Sequence, residues 1–410
     1  MQSSPWTFIS DRFLSPSRIW ALAIILALCL WTVCLVDFAM PGLFDRAGNI
    51  KFQDFLQFTI SARLIKDGRA AQLYDDQILA RGIRTIIGRD TQVFLQYFYG
   101  PQVAAPFISL SSFPFLIQAG IWVTLSLAMY FACVYLVWKR CLSLQRYRVL
   151  VLVCALAYPP LFHFFVRGQL SAVISVSFTA AYLALAQQRD FLAGVALGFL
   201  VFKPQFLVGI LLVLLLARAW RTFAGLAVSA GVQLALTAVY FHRPVMHAYL
   251  TKVLHSAGNP GSTELVFSPI QMHSLYSFWE ILIPWPPGVW ALYLLTSAAV
   301  VAIAVKTWSS SAAVSLRFSA LLFAAVLVNP HIYIYDLLAL APAFLTLTDW
   351  LLQNPQHPSQ RRLSGLLYLA FLLPLFGPLA YWTHLQISVA VFAAILWTLR
   401  QIQSSLAPAI

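Results

Sequence analysis

The chain has 410 residues, 61% of them hydrophobic and 10% charged, where soluble domains carry about 25% charged residues. So little polar surface excludes a water-soluble globule and a disordered tail, and makes lipid the expected solvent. The 26 basic residues exceed the 13 acidic ones by 13, and they sit mainly in short gaps between apolar runs, the pattern of cytoplasmic loops rather than of a nucleic-acid-binding face.

In chain order, the apolar runs predict spanning helices near 18–40, 115–138, 148–165, 170–187, 191–202, 205–217, 222–241, 288–306, 313–328, 332–349, 363–380 and 384–400. That is an all-α polytopic membrane protein of about 12 transmembrane helices, read as a single integral membrane domain over 1–410. The first run is too long for a signal-peptide core and is expected to be retained. The segments 191–202 and 205–217 are each short for a span, with Lys203-Pro204 between them, so a hairpin competes with one long broken helix. A hairpin puts Arg12, Arg18, Lys139, Arg140, Arg146, Arg148, Arg189, Arg218, Arg221, Lys306, Arg317, Arg361, Arg362 and Arg400 on one face. The charge rule makes that face cytoplasmic, together with both termini.

Two segments remain on the opposite, extracytoplasmic face: 41–114 and 242–288. The first is expected to carry an amphipathic helix near 51–67 lying on the membrane surface, with Phe52, Phe55, Leu56 and Ile60 at helical spacing. A short helix is expected after Tyr74. The acids Asp45, Asp54, Asp67, Asp75, Asp76, Asp90, Glu264 and Glu280 fall on this face, as does every histidine except His357. Acid–base chemistry is therefore expected there. Five cysteines without metal spacing argue against a disulfide framework. The histidines show no i, i+4 pair beside a carboxylate, and no metal site is expected. No phosphate-binding glycine loop or dinucleotide fingerprint is present, so neither a soluble nucleotide donor nor a bound cofactor is expected.

Asp54 stands out just after the first span, where a carboxylate can take the proton of an attacking hydroxyl. Lys203, at the hairpin tip, and Arg167, in the short turn Arg167-Gly168-Gln169, break the charge trend and suit phosphate oxygens. His331, in Asn329-Pro330-His331, is a third candidate for phosphate. Asp336 lies inside an apolar run and is expected to pair structurally.

These residues resemble a known family. Asp54-Phe55, Ala62, Gly68 and Leu73-Tyr74-Asp75 are similar to the first outer loop of glycosyltransferase family 87, of the polytopic GT-C superfamily. Tyr97-Phe98-Tyr99-Gly100-Pro101 with Pro106 resembles its aromatic-proline segment, although Gly100 stands where a second proline is common. Arg167-Gly168-Gln169, the glycine-containing helix with Gly194 and Gly198 ending at Lys203-Pro204-Gln205, and Asn329-Pro330-His331 with Tyr335 follow in the family's order. The resemblance implies a GT-C-type bundle with extracytoplasmic loop helices in a bacterial plasma membrane. It implies inverting transfer of a hexose, typically mannose, from a polyprenyl-phosphate sugar donor to a lipid or glycan acceptor, without metal. It places the base on Asp54; from residue type and position, Lys203, Arg167 and His331 are expected to hold the phosphate, and Tyr99, Gln169 and Tyr335 to line the sugar pocket. Membrane lipids are the other expected partners, nucleic acid is not one, and a transporter or flippase of lipid-linked sugars is the competing class.

Overall fold

Runs of leucine, valine and alanine almost free of interior charge form helices here because lipid offers backbone groups no other hydrogen-bond partner. The computed structural model describes residues 14–88, 93, 95–258 and 269–405; Arg12, Asp90, Glu264 and the side chain of His255 lie outside them. Within these residues the chain is all-α, and the extended pairings are two isolated bridges, Phe44–Ile50 and Met272–Tyr333.

Helix α1 (Pro16–Ala39) leads into the first loop, which contributes α2 (Leu56–Lys66) and α3 (Asp76–Ile87). Then follow α4 (Phe115–Trp138), α5 (Arg148–Ala157), α6 (Pro159–Arg167), α7 (Ser171–Leu185), α8 (Asp190–Gly198), α9 (Gln205–Leu216) and α10 (Trp220–Gly258). The chain closes with α11 (Leu275–Leu282), α12 (Pro286–Trp308), α13 (Val314–Val328), α14 (Ala341–Gln353), α15 (Gln360–Leu372), α16 (Ala380–Thr383) and α17 (Ile387–Ser405). Among the described residues, seven helical stretches are long and apolar enough to cross a bilayer, or eight when α5 and α6, bent by 48°, count as one. That is fewer than the twelve expected. Ser171–Leu185, Asp190–Phe202, Gln205–Leu216 and Val314–Val328 are apolar helices, but each is shorter than the roughly 20 residues a perpendicular span needs.

The stretch around Lys203 is a hairpin. Gly194 lies against Thr222 and Leu226 of α10, and Gly198 lies against Leu226 and Ser229. Gln233 donates to the Gly198 carbonyl at 3.2 Å. Both helices therefore ascend together, and α9 must return antiparallel to them. Glycines permit this close parallel approach, as small residues do between membrane helices. A Cβ at Gly194 would overlap the Thr222 carbonyl. Gly194→Val is therefore expected to destabilise the protein by about 1–3 kcal/mol, read as a lower thermal midpoint in detergent. A valine variant that melts like the parent would show that this contact adjusts freely.

The helix expected on the membrane surface near 51–67 is instead inside the protein. Leu56, Gln57, Phe58, Thr59, Ile60, Ser61 and Ala62 of α2 are all buried. Two of its buried polar residues have partners, Thr59 pairing with Gln118 of α4 at 3.2 Å and Gln57 donating to the Asp54 carbonyl at 2.9 Å, while the Ser61 hydroxyl is buried without a hydrogen-bond partner. Asp75 caps α3, accepting from the amides of Gln77 and Ile78. Helix α10 breaks at His242, which has φ 60° and is followed by Pro244. Its second arm reaches the first loop, where Lys252 pairs with Asp76 at 2.6 Å. The segment before α11 joins the same end of the bundle, since the His273 amide donates to Ile332 at 2.9 Å.

Candidate active site

The site begins where α1 ends. Lys51 is buried, and its ammonium donates to the carbonyls of Phe38 (3.3 Å), Met40 and Gly42 (3.1 Å). Phe38 lies in the last turn of α1, where carbonyls lack intrahelical donors, Met40 and Gly42 follow it in the chain, and an ammonium has three protons to offer them. Next, Phe52 takes a left-handed conformation (φ 54°), and its amide donates to the Val166 carbonyl of α6 at 3.1 Å. The rings of Phe38, Phe52 and Phe165 pack together at 4.7–6.0 Å. Asp54 follows on the tight turn Gln53–Phe55, with Phe55 fully buried against Trp122 and Phe107. The carboxylate is thus set by the end of α1 on one side and the end of α6 on the other.

Helix α6 stops at Gly168, whose φ of 70° is readily adopted only by glycine. The same turn lets the Asp54 segment come close, because a Cβ at Gly168 would lie 3.0 Å from the Phe55 Cβ and 3.2 Å from the Phe52 Cβ. Gly168→Ala is expected to cost about 1–2 kcal/mol from the left-handed backbone alone and to displace Asp54. Its check is the catalytic rate of the folded variant, which should fall although no reacting group has been changed.

Beyond the turn, Gln169 organises the centre. Its Nε2 donates to Asp54 Oδ2 at 2.7 Å and lies 3.3 Å from the Tyr335 hydroxyl. Its Oε1 accepts from the Tyr99 hydroxyl at 3.2 Å, and its backbone carbonyl accepts from Trp122 Nε1 at 3.0 Å. Arg167 Nη1 stands 3.7 Å from Asp54 Oδ1. Asp54 is 13% exposed and Arg167 36%, so the carboxylate is mostly covered and the guanidinium beside it is the more accessible group. Burial raises the Asp54 carboxyl above its ordinary range; the Arg167 charge, the Gln169 bond and Lys203 pull it back only in part. Burial also holds the Tyr99 hydroxyl firmly protonated, with Asp336 and Asp54 adding to the effect.

Lys203 is differently placed from the phosphate-facing tip anticipated for it. Its ammonium pairs with Asp336 at 2.5 Å, and the side chains are only 8% and 0% exposed. Asp336 also accepts from the Ser171 hydroxyl at 3.1 Å, and its second oxygen faces the Tyr333 amide at 3.4 Å. The ammonium lies 5.5 Å from the centre of the Tyr335 ring, which stacks on Tyr333 at 5.3 Å. Asp336 is thus the structural partner expected of it. His331 is set beside Tyr276, with ring centres 6.5 Å apart, and its amide donates to Asn329 Oδ1. These contacts join Asp54, Tyr99, Arg167, Gln169, Lys203 and Tyr335 with Asp336. Trp122 and Ser171 had no distinguishing sequence signal, because each acts through a partner remote in the chain, and Lys51 had none because its partners are backbone carbonyls, which any sequence supplies.

The arrangement provides one accessible carboxylate, one partly exposed guanidinium beside it, aromatic hydroxyls around them, and a second, buried ion pair behind. Such a group can accept a proton from a bound hydroxyl and neutralise a phosphate beside the guanidinium. Among the described residues no cluster of three metal-ligating side chains occurs. A family model described as "Glycosyltransferase family 87" matches residues 97–330, more than half of the chain. The fold brings Asp54, Tyr335 and Asp336, which lie outside that stretch, against Tyr99, Arg167, Gln169 and Lys203 within it. No curated protein matches the chain, and no solved structure does.

Proposed function

Because the chain belongs to glycosyltransferase family 87, we propose that it transfers a hexose, mannose by resemblance, from a polyprenyl-phosphate donor to a hydroxyl of a lipid or glycan acceptor at the extracytoplasmic face. The observation that carries this reading is Asp54, bonded to Gln169 at 2.7 Å and facing Arg167 at 3.7 Å in a mostly buried pocket. The acceptor hydroxyl gives its proton to the Asp54 carboxylate while its oxygen attacks the anomeric carbon from the face opposite the phosphate. The bond from that carbon to the phosphate oxygen breaks, its electron pair leaves on the polyprenyl phosphate, and the configuration inverts. Charge develops on the departing phosphate, where a positioned cation lowers the barrier. Arg167 is the cation for that task, since Lys203 is already engaged by Asp336. Turning from Asp54 to the phosphate, Arg167 also releases the carboxylate to act as base. Tyr99 and Tyr335 line the sugar's side of the pocket with ring faces and hydroxyls.

The test supplies purified protein in lipid nanodiscs with a short-chain polyprenyl-phosphate mannose and a mixture of lipid and glycan acceptors. Release of polyprenyl phosphate with formation of an inverted glycoside is expected. Transfer from a nucleotide sugar in the absence of any lipid-linked donor would overturn the donor assignment. Movement of the lipid-linked sugar across a vesicle membrane without bond formation would favour a flippase.

A further inference from the structure

At the end of the bundle away from Asp54, a groove of about 280 Å³ opens between α12 and α17. Its apolar wall is Ala302, Ile303 and Trp397. One turn further toward the helix ends it is lined by Lys306, Arg400 and Ser404. The groove is therefore graded along the helices, apolar at Ala302, Ile303 and Trp397 and cationic a turn nearer the helix ends. A third cation stands at the rim: Arg362 Nη1 donates to Gln401 Oε1 at 2.9 Å, while its buried Nε has no hydrogen-bond partner. Among the described residues no carboxylate lies within ion-pair distance of Lys306, Arg362 or Arg400. Asp349, a carboxylate on the preceding helix α14, is occupied by the amides of Ser143 and Leu144 and by Gln353.

We propose that this groove binds an anionic phospholipid, its phosphodiester against Lys306 and Arg400 and the start of an acyl chain along Ile303 and Trp397. Basic residues that merely orient a membrane protein need only lie in loops, as Lys139 and Arg140 do at the exposed end of α4. Here two cations from different helices converge on one cleft whose neighbouring turn is apolar and carries a tryptophan, the residue enriched at headgroup depth. Basic pockets between membrane helices recognise anionic headgroups in this way. The site is remote from the sugar-transfer chemistry, so it stands whether or not the proposed reaction is correct.

The experiment compares retention of phosphatidylglycerol and phosphatidylcholine by the full chain, using native mass spectrometry and the thermal midpoint in neutral detergent. Phosphatidylglycerol is expected to be retained preferentially and to raise the midpoint. Lys306→Gln with Arg400→Gln should weaken that binding about 30-fold, while Lys139→Gln with Arg140→Gln, which removes equal charge outside the groove, should leave it intact. Equal retention of the two lipids by the unmodified protein would overturn the proposal, and that result needs no variant to fold. An equal loss in the control pair would overturn it as well, and displacement of the lipid by millimolar glycerol 3-phosphate would assign the cleft to a soluble phosphate instead.

Discussion

Replacing Asp54 by asparagine is expected to remove sugar transfer without weakening the fold. A general base contributes about 10²–10⁴-fold to a rate, so the kcat of purified Asp54→Asn should fall by that order at the pH optimum. Donor binding should change far less, because Arg167 and the aromatic walls remain. The asparagine carbonyl can still accept the 2.7 Å bond from Gln169. Stability follows from the sign of the shift. Burial raises the carboxyl in the folded protein, so this group binds its proton more tightly when folded than when unfolded. Its contribution favours folding below the unfolded pKa and is lost as the pH rises through the folded one. At neutral pH the charged form opposes folding, and asparagine carries no charge. The variant should melt no lower than the parent. In the parent, the acid limb of the rate profile should lie above the ordinary carboxylate range, since only the ionised form accepts the proton. Undiminished transfer by a folded Asp54→Asn protein would remove the base assignment.

Lys203→Met should have the opposite phenotype. Its ammonium and the Asp336 carboxylate are almost fully buried and 2.5 Å apart. Removing one partner leaves a charge unpaired in an apolar interior, a loss of about 3–5 kcal/mol. A large drop in the thermal midpoint and a poor yield of folded protein are expected. Combining Lys203→Met with Asp336→Leu removes both charges and should restore most of the stability, since a buried ion pair contributes little beyond an apolar pair of similar volume. A Lys203→Met protein that melts like the parent and only binds the donor more weakly would instead put the ammonium on the phosphate. The two variants therefore separate a group that acts on substrate from a group that holds the pocket together.

Much of this protein was legible in its sequence, for reasons that differ by element. Hydropathy located the apolar helices because burial in lipid needs continuous runs, and a run is a local property of the chain. The charge rule favoured the hairpin at Lys203, and the packing of Gly194 and Gly198 on α10 shows it directly. The helix at 51–67 was located correctly but given the wrong surroundings. Its spacing of Phe52, Phe55, Leu56 and Ile60 suits a membrane surface, yet Gln57, Thr59 and Ser61 are buried too. Periodicity reports which positions are apolar and is silent on polar positions that the packing of distant segments buries.

What the sequence determined by itself was the solvent, the helical class and the set of polar residues too costly to leave in lipid. What only the tertiary structure decided was their pairing. Gln169 meets Asp54 across 115 positions of chain, and Lys203 meets Asp336 across 133. Both cations were equally plausible phosphate ligands until the bundle closed around one of them. A buried charge is assigned its role by the faces of the helices that meet around it, and that geometry depends on how distant segments pack rather than on any neighbouring stretch of sequence.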